Sequence, residues 1–216
     1  YLMFRYVYWH HTARIAGAMF NRAVLDCLLA LGVTELSVQH PLIQRVCLST
    51  DATIETTLRS LLAEAGVAPP PSLELLARVE ARRLYKRAYS IPCADAPDLD
   101  QRYRDALVKR DKEAELAARL NLFLGPTAQP VKDYDVLVDV PPVAKFAADV
   151  RGIALENEYG GRRTVSWEDA PRASYLTAAT VAAMEQSIRS ILYLCDTHRA
   201  DGTALQEALR QQRGVL

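Results

Sequence analysis

Histidines are scarce in this chain, and two of the four stand side by side. The sequence contains His10, His11, His40 and His198. Adjacent side chains on a helix point about 100° apart, so one histidine of the pair can join a site while the other faces solvent. Two helix histidines with local hydrogen bonds are the plainer interpretation of the pair.

Aromatic residues cluster next to these histidines. Tyr6, Tyr8 and Trp9 precede them and Arg14 follows, all within a few turns of an expected helix. Such a set could stack on a nucleotide base and hold a phosphate. An aromatic helix packed in the core would produce the same pattern, and both interpretations stay open.

A second cluster is basic and lies near residues 78–87. Arg82 and Lys86 are four residues apart, which places both on one face if the helix continues to this point. Two fixed cations on one face can bridge phosphate oxygens, so the spacing indicates a polyphosphate clamp. Cations at a helix C-terminus also favour the helix dipole without any ligand, so a solvated helix end remains the alternative.

The sequence lacks the motifs of several kinds of active site. It contains no H-E-x-x-H pair, glycine-rich phosphate loop, G-x-S-x-G turn or H-x-E with paired cysteines. These motifs carry the chemistry of zinc proteases, P-loop NTPases, α/β-hydrolases and zinc deaminases. We therefore assign no metal-ligating and no catalytic residue in this chain.

The elements that would position these residues are mostly helical. Apolar residues at helical spacing predict helices over residues 4–31, 51–64, 73–86, 99–124, 178–189 and 202–212. Alternating or continuous β-rich runs predict strands over 134–140, 153–155, 163–165 and 190–195, the middle two flanking a Gly160-Gly161 turn. The sequence thus predicts a mainly α protein, with a helical lobe over residues 1–90 and a smaller α+β lobe over 91–216.

Composition restricts the binding partners and the cellular compartment that we expect for this chain. The 216 residues carry 26 Lys and Arg against 26 Asp and Glu, so no overall field draws the chain toward nucleic acid or an anionic membrane. The sequence has no apolar run of membrane-spanning length and no secretory signal, from which we expect a cytoplasmic protein. Its four widely spaced cysteines, Cys27, Cys47, Cys93 and Cys195, are expected to be reduced core thiols.

Taken in order, several motifs resemble one family. The segment RYVYWHHTAR at residues 5–14 resembles the helix that follows the last metal ligand in HD-domain phosphohydrolases related to the SAM- and HD-domain dNTP triphosphohydrolase. Asp51 with Thr57-Leu58, the basic run ARRLYKR at 81–87, VLVDVPP at 136–142 and EQSIR at 185–189 resemble later parts of that family. The first domain is then the C-terminal part of a helical HD-superfamily lobe, and the second is an α+β regulatory and oligomerisation lobe.

The resemblance implies roles for particular residues. Tyr8 resembles the tyrosine that lines the substrate nucleotide pocket. His10 and His11 resemble residues beside an allosteric nucleotide held between subunits, although His11 stands where the family often has Lys. Arg82 and Lys86 resemble the cations that hold the triphosphate of that nucleotide. The resemblance further implies a homo-oligomer and a nucleotide, dNTP or NTP, as substrate or effector.

The residues that would perform the family's chemistry are missing. Its H…HD…D set binds a divalent metal that polarises phosphate and activates water, and here no His is followed by Asp. All four ligands would lie before Tyr1, so this chain is expected to be part of a metal-dependent dNTP phosphohydrolase and not catalytic by itself. The alternative is a non-catalytic nucleotide- or RNA-binding or oligomerisation module.

Overall fold

Helices make up most of the fold. The computed structural model describes residues 10–50, 52–141, 153–156, 162–165 and 189–212. Within these residues the α-helices are α1 (His11–Ala30), α2 (Pro41–Cys47), α3 (Ile54–Glu64), α4 (Glu74–Glu80), α5 (Pro97–Arg102), α6 (Ala106–Leu124) and α7 (Gly202–Gln211). Short 3-10 turns at Pro71–Leu73 and Cys93–Asp95 precede α4 and α5.

The strands form a small antiparallel sheet and a separate ribbon. They are β1 (Lys86–Pro92), β2 (Val136–Asp139), β3 (Ile153–Glu156), β4 (Arg162–Val165) and β5 (Ser190–Cys195). The sheet has the order β1-β5-β2, with β5 antiparallel to both neighbours, and β3 pairs with β4. This confirms the predicted fold class, mainly α with a small α+β portion.

The central strand β5 is buried on both faces. Its alternate side chains enter two different clusters: Leu192 and Leu194 join one, and Ile191, Tyr193 and Cys195 join the other. Successive side chains of a strand point to opposite faces of the sheet, so a continuous apolar run suits a strand covered on both sides. The chain therefore forms three layers, with helices above and below the sheet.

Different helices cover the two faces of the sheet. One face of the sheet is covered by α1, which packs against α3 and α4, and the other by α6 and α7. Helix α7 also protects the outer edge of β1, because Gln206 and Arg210 donate to the carbonyls of Arg87 and Ala88. Covering an edge strand satisfies its backbone groups and prevents pairing with another chain.

A buried ionic network joins the layers. Arg22 of α1 is 3% exposed and donates to Asp26 on its own helix, to Glu113 of α6 and to Asp133 before β2. Glu113 also accepts from the backbone N–H of Val138, at the outer edge of β2. Burial alone would raise the pKa of Asp26, but the charge of Arg22 and the hydrogen bonds from Arg22 and Arg110 outweigh it and lower that pKa.

Two predicted helices have different limits in the structure. The helix expected over residues 4–31 does not run through His10, because His10 is extended and caps α1, which begins at His11. The helix expected over 73–86 ends at Glu80, and the chain enters β1 at Lys86. The apolar spacing of Leu75, Leu76, Val79 and Leu84 had suggested a continuous helix.

Smaller differences concern α2, α5 and one cysteine. The helices predicted from the sequence do not include α2, although His40 caps it and Pro41 occupies its first turn. The helix expected over 99–124 is divided into α5 and α6, which Asp105 caps. All four cysteines are free, but Cys47 is exposed, so the prediction of a core thiol is wrong there.

The other predicted elements are either present in the structure or lie outside the described residues. Strands over 134–140, 153–155, 163–165 and 190–195 and the last helix are confirmed. The helix expected over 178–189 lies outside the described residues except for Arg189, which is not helical. The division at residue 90 falls within β1 and stays a prediction. Among the helices that the structure describes, none is long and apolar enough to cross a membrane.

Candidate anion-binding site

The two adjacent histidines lie at the start of α1. His10 has extended backbone angles (φ −60°, ψ 130°), and its Nδ1 accepts a hydrogen bond from the N–H of Thr12 at 3.4 Å. His11 is the first helical residue, and both are exposed. Their ring centroids are only 4.3 Å apart. The predicted separation on a helix is therefore wrong, because His10 precedes the helix, and both rings can take part in one site.

Arg82 lies in the turn after α4 and not on a helix face. Its φ is +55°, and Arg82 is the only non-glycine residue with positive φ among those described. The N–H of Arg82 bonds the carbonyl of Val79 at 3.0 Å, and that of Arg83 bonds the carbonyl of Arg78 at 2.8 Å. This pair of bonds is the Schellman motif, which ends helices with a left-handed residue. The predicted i, i+4 pairing of Arg82 with Lys86 on one helix is therefore wrong.

Two other helices end in the same way, but with glycine at the left-handed position. Gly32 after α1 and Gly66 after α3 have φ of +78° and +68° and make the equivalent pairs of hydrogen bonds. Valine follows each glycine, whereas Arg83 follows Arg82. A left-handed backbone costs a residue with Cβ roughly 1–2 kcal/mol, a cost that glycine avoids. Local stability therefore does not explain the arginine at position 82.

Lys86 and Arg87 occupy the first two positions of β1. Their side chains are exposed, and their backbone is held in the sheet opposite Cys195 and Leu194 of β5. Gln206 donates to the carbonyl of Arg87 at 2.9 Å, and the ring Nε2 of His198 lies 3.2 Å from the carbonyl of Leu84. The backbone that carries these cations is thus fixed on both sides.

Charges at the start of β1 act electrostatically on His11 at the start of α1. Partial burial lowers the pKa of His11, and the positive charges of His10, Arg87 and Lys86 lower it further. Residues 76 positions apart in sequence, such as His11 and Arg87, therefore share one electrostatic environment. The described charges that act on His11 do not include Arg82.

Carboxylates do not neutralise these cations. Within the described part of the chain, neither His10 and His11 nor the four cations Arg82, Arg83, Lys86 and Arg87 form an ion pair with Asp or Glu. Most other arginines do, as Arg14, Arg22, Arg78 and Arg199 show. Exposed cations without acidic partners can bind an anion, and the free N–H groups at the start of the 20-residue helix α1 also favour negative charge.

Sequence reasoning found part of this arrangement and missed another part. It selected His10, His11 and Lys86, of which His10 and Lys86 act electrostatically on His11, but it did not select Arg87. The error at α4 concealed Arg87, because a helix over residues 73–86 placed it beyond the helix end. The β-rich run AYSI after Arg87 was the signal that could have revealed β1. Tyr6 and Tyr8 lie outside the described residues.

Two cavities in the described region lie away from these residues. A groove of about 670 Å³ is bounded by α1, α3 and α4, and a cavity of about 340 Å³ lies between α1 and the start of α6. None of the residues predicted from the sequence to bind a nucleotide lines either cavity.

The divalent metal implied by the resemblance does not fit the residues in view. Among the described residues, no group of three or more His, Cys, Asp or Glu could hold a metal ion. We therefore derive no chemical step through a metal.

Comparison with known proteins places the chain in a family. Residues 1–166 match the family described as HD associated region. No curated protein and no solved structure matches the chain.

Proposed function

Since this chain belongs to the HD associated region family and is thereby related to HD-domain proteins, we propose that it is part of a metal-dependent nucleotide phosphohydrolase. The parent reaction would release triphosphate from a dNTP, with metal ligands supplied by an HD domain outside the described residues. This chain would contribute Tyr8 to the substrate pocket, an anion-binding site for a regulatory nucleotide, and contacts between identical subunits. A cytoplasmic location fits this role.

The observation that supports the proposal is the group of exposed cations at the start of β1, which have no acidic partner among the described residues and whose charges act on His11. His11 lies within electrostatic reach of Lys86 and Arg87, and no carboxylate among the described residues pairs with them. A triphosphate carries several negative charges on closely spaced oxygens, which matches cations that mutually repel in the free protein. Such a ligand would relieve this repulsion, which supports a nucleoside triphosphate over an uncharged ligand.

Arg82 and Lys86 provide the first test of this function. In the full-length protein, Arg82→Ala with Lys86→Ala should weaken dNTP binding at least tenfold, because two charge-assisted contacts are lost. Nucleotide-induced assembly should fail at concentrations that assemble the wild type. Calorimetric titration measures the affinity, and light scattering with and without dNTP measures the assembly.

A matched variant controls for the loss of positive charge. Arg45 and Arg102 are exposed cations outside the candidate site, and the Arg45 ion pair with Glu64 lies at the surface, where it contributes little to stability. Arg45→Ala with Arg102→Ala should bind and assemble like the wild type. If both double variants retain wild-type affinity and assembly, the proposed role of the cations is wrong.

A further inference from the structure

The cavity of about 340 Å³ lies between α1 and the start of α6. The two helices run in opposite directions here, because Arg22 of α1 contacts Glu113 of α6 and Asp26, farther along α1, contacts Arg110. The start of α6 therefore lies opposite the second half of α1. Protein interiors contain few spaces larger than a water molecule, so a cavity of this size offers room for a small ligand.

The floor of the cavity is charged, but its charged groups already have partners. Arg22 and Glu113 line the floor, where their side chains are 3% and 2% exposed. Glu113 accepts from Arg22 through Oε2 and from the backbone N–H of Val138 through Oε1. Arg22 also donates to Asp26 and Asp133. A ligand therefore gains little from contacts with the floor.

One wall of the cavity is aliphatic. It consists of Leu25, Leu28 and Leu36, of which Leu36 is 46% exposed. Leu25 and Leu28 are buried, but within the described residues neither belongs to the apolar clusters on the two faces of the sheet. None of the described residues that line the cavity, apart from these leucines and their aliphatic neighbours, offers a ring for stacking. An aliphatic chain would gain by covering this wall, whereas a nucleobase would have no aromatic partner.

Two cations line the mouth of the cavity on the side of α6. Lys109 lies on the same face of α6 as Glu113, one turn nearer the start of the helix. Among the residues that the structure describes, no Asp or Glu forms an ion pair with Lys109. The side chain of Arg104 is 45% exposed and shares Asp100 with Arg189, so one carboxylate serves two guanidinium groups. The mouth therefore has an excess of positive charge beside the aliphatic wall.

The backbone N–H groups at the start of α6 take no part in this site. Asp105 caps the helix, and its Oδ1 accepts from the N–H groups of Leu107 and Val108 at 2.8 and 3.1 Å. The N–H of Lys109 donates to the carbonyl of Asp105 at 3.0 Å. The attraction for an anion thus comes from the side chains of Lys109 and Arg104, and the leucines determine what the anion is attached to.

We propose that this cavity binds a small aliphatic carboxylate. Its chain covers the three leucines of the wall, and its carboxylate accepts from Lys109 and Arg104. A carboxylate without a chain would leave the leucines uncovered, and a chain without a charge would leave the cations without a partner. The site is separate from the anion-binding site proposed above, so either proposal can fail without the other.

Octanoate is the probe, and calorimetric titration of the full-length protein measures its affinity. Octanoate should bind saturably and raise the melting temperature, because a ligand of the folded state stabilises it. Hexanoate should bind more weakly, by up to about fourfold for each methylene group removed. Octanol keeps the chain without the charge and should bind about fivefold more weakly than octanoate. Acetate keeps the charge without the chain and should show no saturable binding.

Two pairs of variants separate the contributions of the charge and the wall. Lys109→Gln should weaken octanoate binding about fivefold and leave octanol binding unchanged. Its control is Lys112→Gln, because Lys112 is on the same helix but does not line the cavity, and its ion pair with Glu115 lies at the surface. Leu36→Ser should weaken the binding of both octanoate and octanol. Its control is Val38→Ser, because Val38 is 70% exposed and does not line the cavity.

The four variants should all fold, because each replaces a side chain that lies at the surface or at the mouth of the cavity. Melting temperatures without ligand check this expectation. A wild type that does not bind octanoate saturably would overturn the proposal. Octanol that binds as tightly as octanoate, or equal affinities in Lys109→Gln and Lys112→Gln, would contradict a carboxylate at the mouth. Equal affinities in Leu36→Ser and Val38→Ser would contradict a chain on the leucine wall.

Discussion

At position 82 the chain has an arginine where two other helices of the same fold end in glycine. The three turns share their hydrogen-bond pattern, and only Arg82 carries a Cβ in the left-handed region. Residues in unfavourable backbone conformations persist where another requirement outweighs the local cost. An arginine retained for its charge fits the unpaired cations that follow it in sequence.

Arg82→Gly should make the protein more stable. The substitution removes the backbone cost of the left-handed residue, and the greater freedom of glycine in the unfolded chain offsets part of that gain, which leaves about 1 kcal/mol. Urea denaturation measures the free energy of unfolding. Arg82→Ala retains the Cβ and should gain nothing, while Gly66→Ala should lose about 1 kcal/mol. Equal stability of Arg82→Gly and Arg82→Ala would contradict the assignment of strain to this residue.

Among the described elements, α1 packs against α3, α4 and β2, and some of its contacts leave no clear signal in the sequence. Its apolar face was predictable from periodicity, but its charged residues were not. Arg22 and Asp26 are four residues apart and look like a surface pair, yet Asp26 is 8% exposed and bonded to both Arg22 and Arg110. Their burial depends on α6, whose position relative to α1 no local pattern indicates.

Asp26→Asn should destabilise the protein in a manner that depends on pH. The pKa of Asp26 is lowered in the folded state, so its ionised form stabilises the fold above the unfolded pKa of about 4, and this contribution is lost as pH falls through the folded value. At pH 7 we expect a cost of about 2 kcal/mol, since Asn keeps an acceptor but loses the charge. Thermal or urea unfolding from pH 7 down to pH 2.5 measures it.

The difference between wild type and Asp26→Asn should therefore shrink as the solution becomes more acidic. Arg59→Ala is a useful comparison, because Arg59 is half exposed and pairs with Glu55 at the surface of α3. That variant should change stability by less than about 1 kcal/mol over the same pH range. A cost of Asp26→Asn that stays constant down to pH 2.5 would show that Asp26 does not stabilise the fold through its charge.

In the whole molecule, sequence reasoning succeeded where one local pattern determined the outcome. The apolar run of β5 and the alternation around β2 were sufficient to predict strands, because burial on each face repeats every second residue. Reasoning failed at residues 81–87, where a non-glycine residue adopts a left-handed backbone and helical spacing continues past Glu80. It also could not show that the charge of Arg87 acts on His11, since that effect depends on how α1 crosses the sheet.

The distribution of charge is the property of the whole molecule that bears most on function. The chain is neutral overall, and most described arginines are neutralised by carboxylates. The cations at the start of β1 differ, because no carboxylate among the described residues pairs with them. A protein that is neutral overall but carries a group of cations without acidic partners among the described residues attracts anions to that place more than to its surface in general.

The most direct test of the anion site is an NMR titration of the histidine rings with inorganic tripolyphosphate at constant ionic strength. Binding should raise the pKa of His11, because the anion compensates the charges of His10, Lys86 and Arg87 that lower it. His40 is the internal reference, since it caps α2 through Nδ1 as His10 caps α1. We predict saturable shifts of His10 and His11 and none of His40. Unchanged signals, or equal shifts of all three rings, would contradict an anion site at the start of α1.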